Sequence, residues 1–298
     1  MVQLWRRALL VAGVSAIILV SLWLWISWQV TKQAQLQRMR QGVVLIAGHS
    51  ENFLNSIASH MDGLADDLVK AEALNSPDVA RGLLEKFKAK HPDLVGATMI
   101  LPDGRIFSST ELRAGVKPPN VLDNPEWRED FYATLKASGL TVNRTQVSYL
   151  VKKRIIPFRY PVRDQGGNVG FVLQTSILLN EQQHLWRRLG LIGGAALGLM
   201  REDGYLISRM EDTQAKSPSY QQRILESALY KGTRENADAG VYGGSLADGE
   251  HAGGGERRYG AYQRAEHYPL YAFISFPEST FVTLWWRSVR IPLYLIFG

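Results

Sequence analysis

The residues best suited to hold a ligand cluster in one segment, Trp127-Arg128-Glu129-Asp130-Phe131-Tyr132. A guanidinium can grip a carboxylate or phosphate with two parallel hydrogen bonds, which makes Arg128 the candidate anchor. Trp127, Phe131, Tyr132 and Tyr149 would supply aromatic walls. Asp130, Tyr160, Thr175 and Ser176 would supply polar points. Tyr160 follows Arg159 on an expected strand, so only one of the two can face a site. The chemistry implied is recognition of a small organic anion. The blander alternative pairs Arg128 with Glu129 or Asp130 at the surface and places Phe131 in the core.

Nothing in the sequence points to catalysis. There is no cysteine, which removes thiolate nucleophiles, thiolate metal sites and disulfides. His49, His60, His91, His184, His251 and His267 show no ligand spacing such as His-x-x-x-His, so no metal is expected. Gly253-Gly254-Gly255 lacks the Lys-Ser/Thr of a phosphate loop. No catalytic residue and no cofactor is expected. The net charge of +6 is scattered, without the basic block of a nucleic-acid binder. Contact with anionic membrane lipid is the expected use of the excess.

The elements that must position these residues begin at a membrane. Ala8 to Val30 carries no charge, and roughly 20 apolar residues cross a hydrocarbon core of about 30 Å. Trp5, Trp25 and Trp28 stand at its edges, where indoles prefer the interface. A cleaved signal peptide would have a shorter apolar run ending in small residues. An uncleaved anchor is therefore expected, with Arg6 and Arg7 cytoplasmic. At the other end, FVTLWWRSVRIPLYLIFG reads as the start of a second transmembrane helix, the alternative being an amphipathic helix packed on the domain.

Between these ends the chain reads as α+β. Val44, Ile46, Phe53, Leu54, Ile57, Met61, Leu64 and Leu68 recur at helical spacing, predicting one long amphipathic helix from Thr31 to about Leu74. Asp78 to Lys90 follows as a helix, and Val95 to Ser109 as a hairpin turning at Asp103-Gly104. Pro125 to Ser138 reads as a helix, then Gln146 to Leu150, Arg154 to Val162 and Val169 to Ser176 as strands, then Leu178 to Leu189 as a helix. The order recurs: GLMREDGYLISR repeats the pattern of TMILPDGRIFSS around Asp203-Gly204. Tyr220 to Tyr230 reads as a helix and Thr233 to Gly255 as a mobile Gly-rich stretch. Arg257 to Arg264 and Leu270 to Phe276 form the last strand pair. The expected organisation is thus a cytoplasmic N-terminus and span (1–30), a signalling helix (31–76), two tandem antiparallel-sheet modules (77–190 and 191–278), and the truncated second span (279–298).

A span, a long helix, two PAS-like modules and a second span resemble the double Cache sensor regions of bacterial inner-membrane receptors. Gly193 to Arg209, GGAALGLMREDGYLISR, is most similar to the sensor regions of membrane-bound GGDEF-type diguanylate cyclases. The resemblance implies a periplasmic sensor, ligand binding in the membrane-distal module, and homodimers paired along the long helix. It implies an output module that makes cyclic di-GMP. A sensor histidine kinase or chemoreceptor, or an anchored binding or scaffold protein, are the alternatives. Amino-acid-binding members carry Arg-x-Trp-Tyr and a later Asp. Here Arg128 matches, while Asp130, Phe131 and Thr175-Ser176 depart from the pattern. Amino-acid specificity is therefore not carried over.

Overall fold

Helical spacing runs unbroken from the apolar span into the next forty residues, and one helix results. In the computed structural model, which describes residues 2–112, 116, 118–179, 195–211, 220–244 and 257–297, this helix is α1, Val2–Lys70. At 1.5 Å per residue it is about 100 Å long. Met39, Val43, Ile46, Leu54, Ile57, Met61, Leu64 and Leu68 are buried along one face, against both sheets. Each such side chain contributes about 1.5–3 kcal/mol by leaving water. In contrast, Leu9, Leu10, Ile17, Ile18 and Leu19 near the N-terminus are more than half exposed. Among the described residues α1 is the one helix long and apolar enough to cross a membrane.

Lys70 ends α1, and Ala73–Asn75 makes a 3-10 turn. The Ser76 hydroxyl accepts from the Val79 N–H and caps α2, Pro77–Lys90, which starts on its proline. Asn124 caps α3, Pro125–Lys136, in the same way.

The first sheet contains β1 (Ala97–Ile100), β2 (Ile106–Ser109), β3 (Thr141–Val142), β4 (Gln146–Val147), β5 (Arg154–Arg163) and β6 (Val169–Leu178). Its order is β2-β1-β6-β5-β3, with β4 also on β5, and every pairing is antiparallel. The second contains β7 (Ala196–Arg201), β8 (Leu206–Glu211), β9 (Ala239–Gly244), β10 (Arg258–Arg264) and β11 (Leu270–Pro277). Its order, β8-β7-β11-β10-β9, repeats that of the first.

The repeat extends to single hydrogen bonds. Gly104 and Gly204 sit at φ +81° and +91°, a region that favours glycine. Their N–H groups donate to Leu101 and Arg201, three residues back. Their carbonyls accept from Val121 and Ile224, each at 2.9 Å.

Several local expectations shift. The expected helix over Tyr220 to Tyr230 forms later, as α4, Ala228–Glu235. The Ser227 hydroxyl caps it at Tyr230, while the stretch before it is held on the hairpin through the Tyr205–Arg223 bridge. The Gly-rich stretch contains the edge strand β9, because Gly240 and Gly243 leave room for the tyrosines of β10. The strand expected to reach Leu150 stops at Val147, and β3 is additional. Beyond Leu179, the helix expected to Leu189 lies outside the described residues. The last helix, α5, spans Glu278–Phe297 and packs back on α1, with Phe281 and Val289 buried. Trp285 meets Trp28 edge-to-face at 5.9 Å.

Candidate functional site

Strand alternation sets the site. On β5 the even residues face α1: Phe158 meets Phe53 edge-to-face at 6.0 Å, and the Tyr160 hydroxyl donates to Asp62 at 2.8 Å. Ile155 and Arg159 therefore face the opposite side, across which α3 lies. There a cleft is floored by Thr98, Ile100, Ile155, Arg159 and Gln174. Trp127 of α3, Pro119 and Val121 cover one side; Gln146, Ser148, Tyr149 and Leu150 cover the other. The space open to the centre of a water-sized sphere is about 40 Å³, room for roughly three waters or a few non-hydrogen atoms. Among the described residues, none that lines it is acidic.

Arg159 dominates the electrostatics. It is 1% exposed. Its Nε donates to the Gln174 side-chain oxygen at 2.8 Å, and its Nη1 has no partner. Its guanidinium lies 5.5 Å from the centre of the Phe131 ring. Burial pushes its pKa down to about 10; the Asp130 carboxylate opposes that shift, and Arg144 adds to it. Arg159 is still a cation at neutral pH. An unmade hydrogen bond at a buried donor costs about 1–3 kcal/mol, more when the group is charged. An anion in the cleft would remove that cost.

Of the residues singled out in the sequence, Trp127 and Tyr149 line the cleft. Phe131 is core beneath it, packed with Ile100, Val121 and Val172. Ser176 shares the cleft face of β6 with Gln174 but does not line the space. The other five are not brought there. Arg128 is tied outside, its Nε donating to the Leu122 carbonyl at 2.8 Å. Tyr132 is exposed, and Tyr160 faces α1. Thr175 points to the other face and donates to the Gly96 carbonyl at 2.7 Å. Asp130 is buried off the cleft, accepting from the Arg144 N–H at 2.7 Å and from Arg201 at 3.0 Å. Sequence reasoning does not single out Thr98, Gln146 or Gln174, and of the strand neighbours Arg159 and Tyr160 it takes Tyr160 for the site, whereas Arg159 lines the cleft. A signal for Arg159 existed: Ile156, Phe158, Tyr160 and Val162 form the apolar set of β5, which turns Arg159 to the other face.

By sequence alone, the chain matches no protein-family model and no curated protein. Solved structures do resemble it. The extracellular domain of rpHK1S-Z16, named as a histidine kinase, aligns with TM-score 0.66 at 16% identity, covering 84% of this chain and 97% of its own. The ligand-binding domain of the Pseudomonas aeruginosa amino acid chemoreceptor PctB, in complex with L-Arg, aligns at 0.59 and 16%, covering 83% and 97%. That of the Pseudomonas fluorescens chemoreceptor CtaA, in complex with L-isoleucine, aligns at 0.59 and 14%, covering 86% and 98%. The α+β architecture is that of these Cache-like sensor domains.

Proposed function

We propose that this chain is the sensing part of a transmembrane receptor in a bacterial inner membrane. The first sheet module would lie outside the cytoplasm and bind a small organic anion. The observation that carries the ligand class is Arg159: a buried cation with an unpartnered Nη1, in a cleft lined by no carboxylate among the described residues. Gln174 and Thr98 would orient the anion, and Trp127 and Tyr149 would wall it. Support for the receptor comes from the exposed apolar start of α1 and from the sensor fold. Protomers would pair along α1, and the membrane would hold the first span and α5.

The resemblance at Gly193 to Arg209 favours an output that synthesises cyclic di-GMP. A histidine-kinase or chemoreceptor output is the second reading, favoured by the proteins that share the fold.

The test uses the full chain in lipid nanodiscs. Its thermal unfolding is followed with acetate, propionate, pyruvate, L-lactate and inorganic phosphate. At least one should raise Tm, and Arg159→Gln should lose that rise. No rise with any of the five would sink the ligand class. Alkaline phosphatase fused after Leu150 should be active; an inactive fusion would sink the topology.

A further inference from the structure

Asp130 joins the cleft to the second sheet. It sits on α3 between Trp127, which lines the cleft, and Phe131, which lies under Arg159. Its carboxylate is buried and meets cations of both modules. From the first module, Arg144 donates its backbone N–H at 2.7 Å and brings Nε to 3.3 Å. From the second, Arg201 donates Nη1 at 3.0 Å. Asp130 is also the main countercharge felt by Arg159. One buried carboxylate therefore serves three guanidinia.

The charges do not balance on the cleft side. Arg144 and Arg159 are both buried there, and among the described residues Asp130 is the one buried carboxylate beside them. Glu129 reaches Arg144 at 3.2 Å but is 64% exposed, where solvent screens it. Across the junction stand Arg201 and Arg223, with Asp203 bonded to Arg201 at 2.5 Å. Arg144, Arg201 and Arg223 converge on the Tyr205 ring at 4.7, 5.7 and 5.2 Å. The surplus positive charge on one side thus faces positive charge on the other.

We propose that Asp130 couples the cleft to the second module: an anion at Arg159 neutralises the surplus charge, and the Asp130–Arg201 junction then tightens. The proposal rests on the cleft being an anion site, and it supplies the step by which occupancy reaches β7. From there the path to the membrane is short in sequence. β7 pairs with β11, and β11 runs directly into α5. A ligand can shift such a junction only by its difference in affinity for the two arrangements, and here that difference is electrostatic.

A tethered anion tests the coupling without a known ligand. Gln174→Glu places a carboxylate where the amide oxygen now accepts from Arg159. The chain has no cysteine, so Glu129→Cys with Arg223→Cys gives one reporter pair across the junction. It removes two ion pairs of the exposed Glu129 carboxylate, to Arg223 at 3.8 Å and to Arg144 at 3.2 Å, which solvent screens, and every variant compared carries the same pair of cysteines. Crosslinking by a short bis-maleimide is timed on the full chain in nanodiscs. Gln174→Glu should raise the rate about fivefold, and should not do so when Arg201→Gln is present. Arg159→Met, which deletes the surplus charge, should raise it too, while Arg159→Lys should not. An unchanged rate in both Gln174→Glu and Arg159→Met, or an equal rise with Arg201→Gln, would overturn the coupling. If none of the five anions binds but these rates respond as stated, the coupling stands and the ligand class falls. If an anion binds and the rates do not move, the reverse holds.

Discussion

The two sheet modules share strand order and hairpin hydrogen bonds, yet their faces away from α1 are filled differently. In the first, Thr98, Gln174 and Arg159 stand in a row across β1, β6 and β5, and a cleft remains above them. In the second, aromatic rings occupy the corresponding ground. Phe273 lies over Gly198, Tyr242 over Gly260, and Tyr262 against Gly240 and Gly232. A Cβ on Gly260 would come within 2.4 Å of the Tyr242 ring. The Tyr262 hydroxyl donates to the Gly232 and Asn236 carbonyls, which ties α4 to the sheet. One topology therefore leaves a cleft over one sheet and a packed face over the other, and side-chain volume over the sheet selects between them.

That contrast can be broken at several points. The largest effect is expected at the junction. Asp130→Asn leaves Arg144, Arg159 and Arg201 without their common anion and should cost about 3–5 kcal/mol in urea unfolding. A loss under about 1 kcal/mol would mean that the guanidinia find other partners. Next comes the packed face. Gly260→Ala should cost about 1–3 kcal/mol by overpacking. Gly82→Ala, on α2 with nothing within 4 Å of its Cβ, should instead stabilise by about 0.4–1 kcal/mol. Equal effects at the two glycines would remove the packing argument.

How much of this was legible depends on the range of the signal. The period of α1 and the Asp-Gly turns are local, and both hairpins followed from them. α4 begins later than the apolar letters around Leu225 and Leu229 suggest, because Ser227 caps it and its start is fixed there. β9 was hidden because its glycines serve tyrosines on a neighbouring strand, a contact distant in sequence. The site divided the same way. Trp127 and Tyr149 were visible as aromatics near an arginine. Arg128 drew attention by matching a motif, but the Leu122 carbonyl holds its guanidinium outside. The apolar alternation of β5 turns Arg159 to the face opposite Tyr160, and the Tyr160–Asp62 bond, across 98 positions of sequence, sets the Tyr160 face against α1.

Smaller effects sharpen the faces that meet α1. Burial first, and then Asp62, push the Tyr160 pKa up to about 12. A raised pKa means the folded state holds the proton longer. The stabilisation is therefore full below the ordinary tyrosine value near 10, and is lost as pH rises through about 12. Tyr160→Phe should flatten part of the fall in Tm above pH 10; an unchanged slope would place the phenol in water. The smallest effect is at His91, whose pKa is lowered by burial, then by His60, its ring centre 4.2 Å away, then by Lys90. The folded state here disfavours the proton, so stability is full above about 6.5 and falls as pH drops below it. His91→Gln should reduce that acid slope between pH 7.5 and 5.5.

The most direct measurement is a calorimetric titration, on the full chain in nanodiscs, with whichever of the five anions raises Tm most. Arg159→Gln should abolish the binding heat. Arg258→Gln, which removes a buried arginine of the second module bonded to Ser275, should leave the affinity within about threefold of the parent. Retained affinity in Arg159→Gln, or its loss in Arg258→Gln, would contradict the assignment of the ligand to the first module.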